Sequence, residues 1–349
     1  MKMYRYITIV FLVLAALAAG FFMHRPAPRL THEPELAAGA AVTQPQQEPS
    51  VSILAFGDLM LDRAVRTTIL NHGADYPFVS IEQFLNGHDI VVANAEGPFT
   101  NNTSVATADR LQFTFDPGEL PTLHNLGFTL LSQANNHAFN FGAAGLRESQ
   151  ANIRASGIGT FGDPQNDDPG PSLQIIHGQT VAFIGYHQFL GTDTKVLEAI
   201  REAKTLGAFT ILYPHWGVEY STTTSAFQRA EAHAFIDAGA DAVLGAHPHV
   251  IEPIEIYNGK AIFYSMGNFI FDQSNSGPTS EGLAIEITLT PSQATYTIDP
   301  LDIAHAQASL MPDPERTTIL QTLAHTATLA TTSESLRSGI ADGVFTLDR

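Results

Sequence analysis

The chain has 349 residues, 44% of them hydrophobic, with 35 acidic and 17 basic side chains and a formal net charge of −18. That length allows one large domain or two small ones, and the apolar share suffices for a full core, which excludes wholesale disorder. Cysteine is absent, which excludes disulfides, thiolate nucleophiles and thiolate metal ligands; the acidic balance argues against nucleic acid as a partner.

The first element is an apolar run from Ile7 to Met23, preceded by Lys2 and Arg5 and closed by His24 and Arg25. Positive charge ahead of a short apolar segment predicts a signal peptide or a single-pass anchor with the body outside the cytoplasm. Phe21 and Phe22 carry the apolar character past the Ala16-Leu17-Ala18 stretch, so residues 1–23 read as an uncleaved N-terminal membrane anchor. If the segment is cleaved instead, the body is secreted or periplasmic. Residues 24–50 hold five prolines among Ala, Gln and Glu without a period and read as an extended tether.

From Val51 onward short β-rich runs alternate with helical stretches. The runs are Val51–Phe56, Ile90–Ala93, Thr129–Ser132, Thr180–Tyr186, Phe209–Tyr213 and Ala242–Gly245. The clearest helices are expected over Gly142–Ala155, Lys195–Leu206 and Ser225–Ala238, and this order signals an α/β domain. Ile254–Tyr257, Ala261–Met266, Leu283–Leu289 and Ala294–Ile298 follow without helices between them, so the sheet is expected to be mixed. The domain is placed at 51–305. Residues 306–349, polar and rich in Thr, Ser and Ala, are read as a C-terminal tail, partly helical.

In open α/β sheets ligands sit at the carboxyl ends of the strands. Five strand ends here present chemistry: Asp58 in GDLMLDR, Glu96 with Asn94 in NAEGP, Asn136 and His137 in the Asn135-Asn136-His137 run, His215 in HWGVEY, and His247 and His249 in GAHPHV. Each set alone has an ordinary reading as a turn, a cap or a satisfied core histidine. Together they predict a metal centre, because imidazole nitrogens with carboxylate and amide oxygens suit Zn, Mn or Fe. A carboxylate can bridge two ions, and such a pair of ions would clamp the attacking and the leaving oxygen of a displacement. Pro248 stiffens the loop between two histidines that are expected to aim at one point.

With SMGNFIFD added, these motifs resemble the bacterial capsule-synthesis family of CapA and PgsA type, implicated in poly-γ-glutamate synthesis or export and related to calcineurin-like metallophosphoesterases. The resemblance runs from about Ile53 to Asp272. It implies a four-layer α-β-β-α sandwich, two mixed sheets flanked by helices, with one or two divalent ions on one rim. It implies Asp58, Glu96, Asn136, His215, His247 and His249 as ligands, with Glu96 bridging. His137 would polarise or protonate the leaving group, Arg63 would hold an anionic substrate, and Asn94 and Asn268 would orient ligands from behind. Two positions depart from the pattern: Met60 stands where a ligating histidine is usual, with Asp62 a more distant substitute, and Asn140 stands for an aspartate.

The expected function is a membrane-anchored, extracytoplasmic metallohydrolase of capsule or envelope polymer metabolism. It would act on phosphoester or γ-glutamyl amide bonds in an anionic polymer or phosphoester substrate, beside a membrane polymer synthase. The alternative is a non-catalytic capsule assembly or export factor with a structural or vestigial metal site. A third reading is a cell-surface enzyme hydrolysing nucleotides or phosphosugars. No Ser sits in a Gly-x-Ser-x-Gly elbow, which removes the usual nucleophile-based hydrolase.

Overall fold

The computed structural model describes residues 48–102, 106, 111–273, 276–329 and 333–349. The expected anchor at 1–23 and most of the tether lie outside the described residues. Among the described residues no helix is long and apolar enough to cross a membrane.

Strands and helices alternate first: β1 (Val51–Leu59), α1 (Arg63–His72), α2 (Glu82–Leu85), β2 (Ile90–Ala95), α3 (Leu120–Asn125), β3 (Leu130–Ser132), α4 (Gly142–Ala155) and β4 (Gly159–Phe161). A hairpin, β5 (Ser172–Ile176) and β6 (Gln179–His187), then leads to α5 (Thr194–Thr205), β7 (Phe209–His215), α6 (Ala226–Ala238) and β8 (Ala242–Leu244). Strands follow without helices: β9 (Ile254–Tyr257), β10 (Lys260–Phe263), β11 (Asn268–Ile270), β12 (Glu281–Leu289), β13 (Gln293–Ala304) and β14 (Gln307–Leu310). The chain closes with α7 (Glu315–Thr326), β15 (Thr328–Leu329), α8 (Glu334–Asp342) and β16 (Val344–Asp348).

Two mixed sheets result. The first runs β14-β13-β12-β1-β2-β3-β4, with β11 beside β1 and β16 beside β13; the second runs β15-β9-β10-β8-β7-β6-β5. Side-chain alternation along each strand sorts residues to opposite faces, and it builds the layers here. From β1, Val51, Ile53 and Ala55 enter the core between the sheets, while Leu54 and Phe56 face outward. There they meet Val65 and Ile69 of α1, Leu123 of α3 and Ile153 of α4. From β6, Val181 and Phe183 face inward, while Ala182 and Ile184 pack under Val196 and Ile200 of α5 and Phe235 of α6. The fold is therefore the expected sandwich: helices, sheet, sheet, helices.

The three helices expected from sequence form within a residue of their expected ends. At α6 the reason is local: Ser225 and Gln228 make a reciprocal capping box that satisfies orphan backbone donors of the first turn.

The expected break at 305 is corrected. The described residues after 47 fall into one compact unit, because β14 and β16 are strands of the first sheet and β15 belongs to the second. Leu320 and Leu323 of α7, Ile340 of α8 and Phe345 of β16 are buried in the core between the sheets. The polar face of this segment hid those apolar positions from a compositional reading.

Candidate metal centre

Parallel pairing sets the site. β1, β2 and β3 run side by side with Asp58 opposite Asn94 and Asn94 opposite Ser132, so their carboxyl ends open on one rim. In the second sheet β6, β7 and β8 are parallel, with His187 opposite His215. The Tyr213 hydroxyl donates to the Phe56 carbonyl and ties the two sheets together beside this rim. Gly57 and Gly245 make the close approach possible: a Cβ on Gly57 would lie 1.8 Å from the Gly267 carbonyl oxygen, and one on Gly245 would lie 2.0 Å from that of Tyr264.

Glu96, just beyond β2, is the central oddity. It is fully buried, yet neither carboxylate oxygen has a hydrogen-bond partner. An unpaired buried carboxylate is costly, and burial followed by the Asp58 charge pushes the Glu96 carboxyl well above its ordinary value. His249 Nε2 lies 3.5 Å from Glu96 Oε1, and His137 Nε2 lies 4.0 Å from it. One donor atom from each of Glu96, His247 and His249 lies within 4.8 Å of the others. A buried carboxylate whose oxygens lack hydrogen-bond partners, converging with two buried imidazoles, is a donor set that a divalent cation fits.

The HPH loop aims both histidines inward at a backbone cost. His247 has φ 99° and His249 φ 60°, a left-handed region that costs a non-glycine residue on the order of 1–3 kcal/mol. The loop is held by the His247 amide donating to Asp58 Oδ2 at 3.0 Å. His249 Nδ1 donates to Asn268 Oδ1 at 3.0 Å and faces Asp58 Oδ2 at 3.2 Å. With Nδ1 carrying the proton, Nε2 presents its lone pair toward Glu96. Asn268 is itself fixed by donating to the Thr279 carbonyl at 2.9 Å.

The other expected residues are brought to the same rim. Asp58 Oδ1 accepts from Asn94 Nδ2 at 2.8 Å. Burial would raise the Asp58 carboxyl, but the hydrogen bond and charge of His249 outweigh it and hold it below its ordinary value. Asn135 donates to Asn94 Oδ1 and to the Ala95 carbonyl, and its own oxygen accepts from the His137 and Ala138 amides. That fixes the turn which points Asn136 Oδ1 at His215 Nε2, 2.8 Å away. His215 Nε2 also lies 3.0 Å from His247 Nδ1. Burial, followed by the neighbouring imidazoles, lowers His215 well below its usual value; burial and His249 take His247 to about 3 and His137 to about 4. Neutral imidazoles are the form that binds metal.

Arg63 and Met60 stand apart from this group. The Arg63 guanidinium makes a two-pronged pair with Asp272, at 2.5 and 3.1 Å, and lies over the Phe113 and Phe271 rings. Its charge is thus already matched. Met60 is fully buried in the apolar cluster beneath α1 and α3. Asp62 does not replace it, since its oxygens accept from the Arg63, Ala106 and Thr114 amides. Asn140 donates to the Leu111 carbonyl and contacts His137 Nδ1 at 3.3 Å, holding the ring from behind.

His187 was not singled out from sequence. It directly follows the Thr180–Tyr186 run expected as a strand and belongs to the same class of strand-end histidines. Applying the carboxyl-end rule to that strand finds it.

A family model described as "Bacterial capsule synthesis protein PGA_cap" matches residues 52–273. The "PGA biosynthesis protein CapA" of Bacillus subtilis is 31% identical over 291 residues, covering 77% of each chain. The "Capsule biosynthesis protein CapA" of Bacillus anthracis is 28% identical, covering 65% of this chain and 61% of its own length. A "Probable polyglutamine synthesis accessory protein" of Mycobacterium tuberculosis is 26% identical over 54% of this chain and 57% of its own length.

Proposed function

The chain belongs to the bacterial capsule synthesis protein family PGA_cap, and from that premise we propose that it is a metal-dependent hydrolase of capsule or envelope polymer synthesis. Its substrate is a phosphoester or a γ-glutamyl amide of an anionic polymer. In this reading the Ile7–Met23 run anchors it in the cell membrane with the domain outside, beside a polymer synthase. The observation that carries the proposal is Glu96: a buried carboxylate with both oxygens unpartnered, grouped with His247 and His249.

Glu96, His247 and His249 would hold a divalent ion, with Asp58 and Asn268 fixing the His249 ring from its other nitrogen. Such an ion, as Zn, Mn or Fe, supplies Lewis acidity to a phosphoryl or carbonyl oxygen. His137, held to Asn140 and lying 4.2 Å from the Phe113 ring, keeps its Nε2 beside Glu96 and is placed to polarise a leaving group through a hydrogen bond. The low His137 value, about 4, keeps the ring neutral near pH 7.

The test is metal content of the purified full-length chain by elemental analysis, beside Glu96→Gln and a His247→Ala, His249→Ala double variant. The expected result is a bound transition metal in wild type that both variants lose, with hydrolysis of a model phosphodiester or a γ-glutamyl oligomer lost in parallel. Wild type that takes up no metal after incubation with Zn or Mn would remove the hydrolase reading. The burial of Met60 away from the rim favours a second reading, a non-catalytic assembly or export factor. That reading is supported if metal binds and neither substrate class turns over.

A further inference from the structure

His187 combines four features that a core histidine does not need. Its Nδ1 lies 2.7 Å from the Pro164 carbonyl oxygen, which can only accept, so the proton sits on Nδ1 and the lone pair on Nε2. That Nε2 is buried and without a partner, in a residue 1% exposed. Its backbone is clamped by Asn166: Asn166 Oδ1 accepts from the His187 amide at 2.8 Å, and Asn166 Nδ2 donates to the His187 carbonyl at 2.9 Å. Its register partner across the parallel β6–β7 pair is His215, so both side chains leave the same face of the sheet at the same level.

An imidazole whose one nitrogen donates to a carbonyl while the other offers a bare lone pair is how proteins present a metal ligand. His249 has the same arrangement in this rim, with Asn268 in place of Pro164. Distance agrees. With metal–nitrogen bonds of about 2.1 Å, two imidazole rings on one ion have centroids roughly 5 Å apart at the tetrahedral angle and ~6.4 Å apart at the limit. The His187 and His215 centroids are 6.0 Å apart. Asn136 Oδ1, beside His215 Nε2, supplies an oxygen.

We propose that His187 is a fourth histidine of the metal centre, its Nε2 sharing a divalent cation with His215 and Asn136 beside the position held by Glu96, His247 and His249. This rests on reading the rim as a metal centre. It gives a rim that lacks a ligating side chain at Met60 a histidine from a different strand.

The full-length chain is stripped of metal and titrated with Co²⁺, followed by visible absorption and elemental analysis, as wild type, His187→Ala and His187→Cys. Wild type is expected to take up about two Co²⁺ per chain and His187→Ala about one. His187→Cys should regain the second ion and show a thiolate-to-cobalt charge-transfer band, which no other residue of this cysteine-free chain can produce. His187→Ala binding as much cobalt as wild type with equal affinity overturns the proposal. So does His187→Cys that fills its first position and shows no band. If His187→Ala fails to fold, the cysteine variant decides alone. Wild type that takes up no cobalt removes the metal-centre reading and this inference together, whereas a loaded wild type matched by His187→Ala removes only the inference.

Discussion

Single residues carry constraints here that burial makes steep. Gly57 stands in the first motif because β1 runs against Gly267, and Asp58 N donates to that residue's carbonyl at 3.1 Å. Gly57→Ala would set a Cβ 1.8 Å from a backbone oxygen with no flexible end to yield. A loss on the order of 3 kcal/mol or more in denaturant unfolding is expected; an unchanged midpoint would contradict that packing. Glu252 lies buried with Oε2 bonded to Gln228 Nε2 at 2.6 Å and Oε1 unpartnered, and burial pushes its carboxyl up to about 7. The folded state holds that proton more tightly than the unfolded chain. The group therefore costs nothing below about pH 4.5, and stability falls as pH rises from there through about 7, by about 3 kcal/mol in all. Glu252→Gln is expected to remove this decline, so the variant should unfold at higher denaturant than wild type at pH 8 and match it at pH 4.5.

At the scale of elements, the site depends on strand ends and on the turns that leave them. Helix α6 starts at Ser225, whose hydroxyl accepts from the Gln228 amide while the Gln228 side chain accepts from the Ser225 amide. Because Gln228 also holds Glu252, the cap links a helix start to the segment just after the HPH loop. Ser225→Ala should cost about 1 kcal/mol in thermal unfolding, with Ser225→Asp close to wild type. The strand-end histidines were legible in sequence because each follows an apolar run whose length marks a buried strand. The positive φ values of His247 and His249 were not legible: the loop that adopts them is held from the other sheet, where Asp58 receives the His247 amide.

At the scale of the whole molecule, the described residues after 305 are part of the sandwich. Removing 306–349 takes away β14 and β16, which pair with β13, together with Leu320, Ile340 and Phe345 from the central core. A chain ending at 305 is expected to show no cooperative unfolding transition and rapid proteolysis. Leu320→Ala in the full chain should cost 2–5 kcal/mol, the usual range for such a core truncation, and a truncated chain that melts like wild type would restore the boundary at 305.

The sequence by itself determined the alternation of strands and helices, the absence of thiol chemistry and the order of the strand-end motifs, because these follow from local periodicity and residue type. It also placed Asp58, Glu96, Asn136, His137, His215, His247 and His249 at strand ends. Only the tertiary structure decided which of those groups meet. Parallel register carries Asp58 to Asn94 within the first sheet and His187 to His215 within the second, while tertiary packing leaves Glu96 buried without a hydrogen-bond partner, commits Arg63 to Asp272 and turns Met60 into the core. Those outcomes depend on pairings between residues tens to hundreds of positions apart, and no local pattern encodes a distance of that kind.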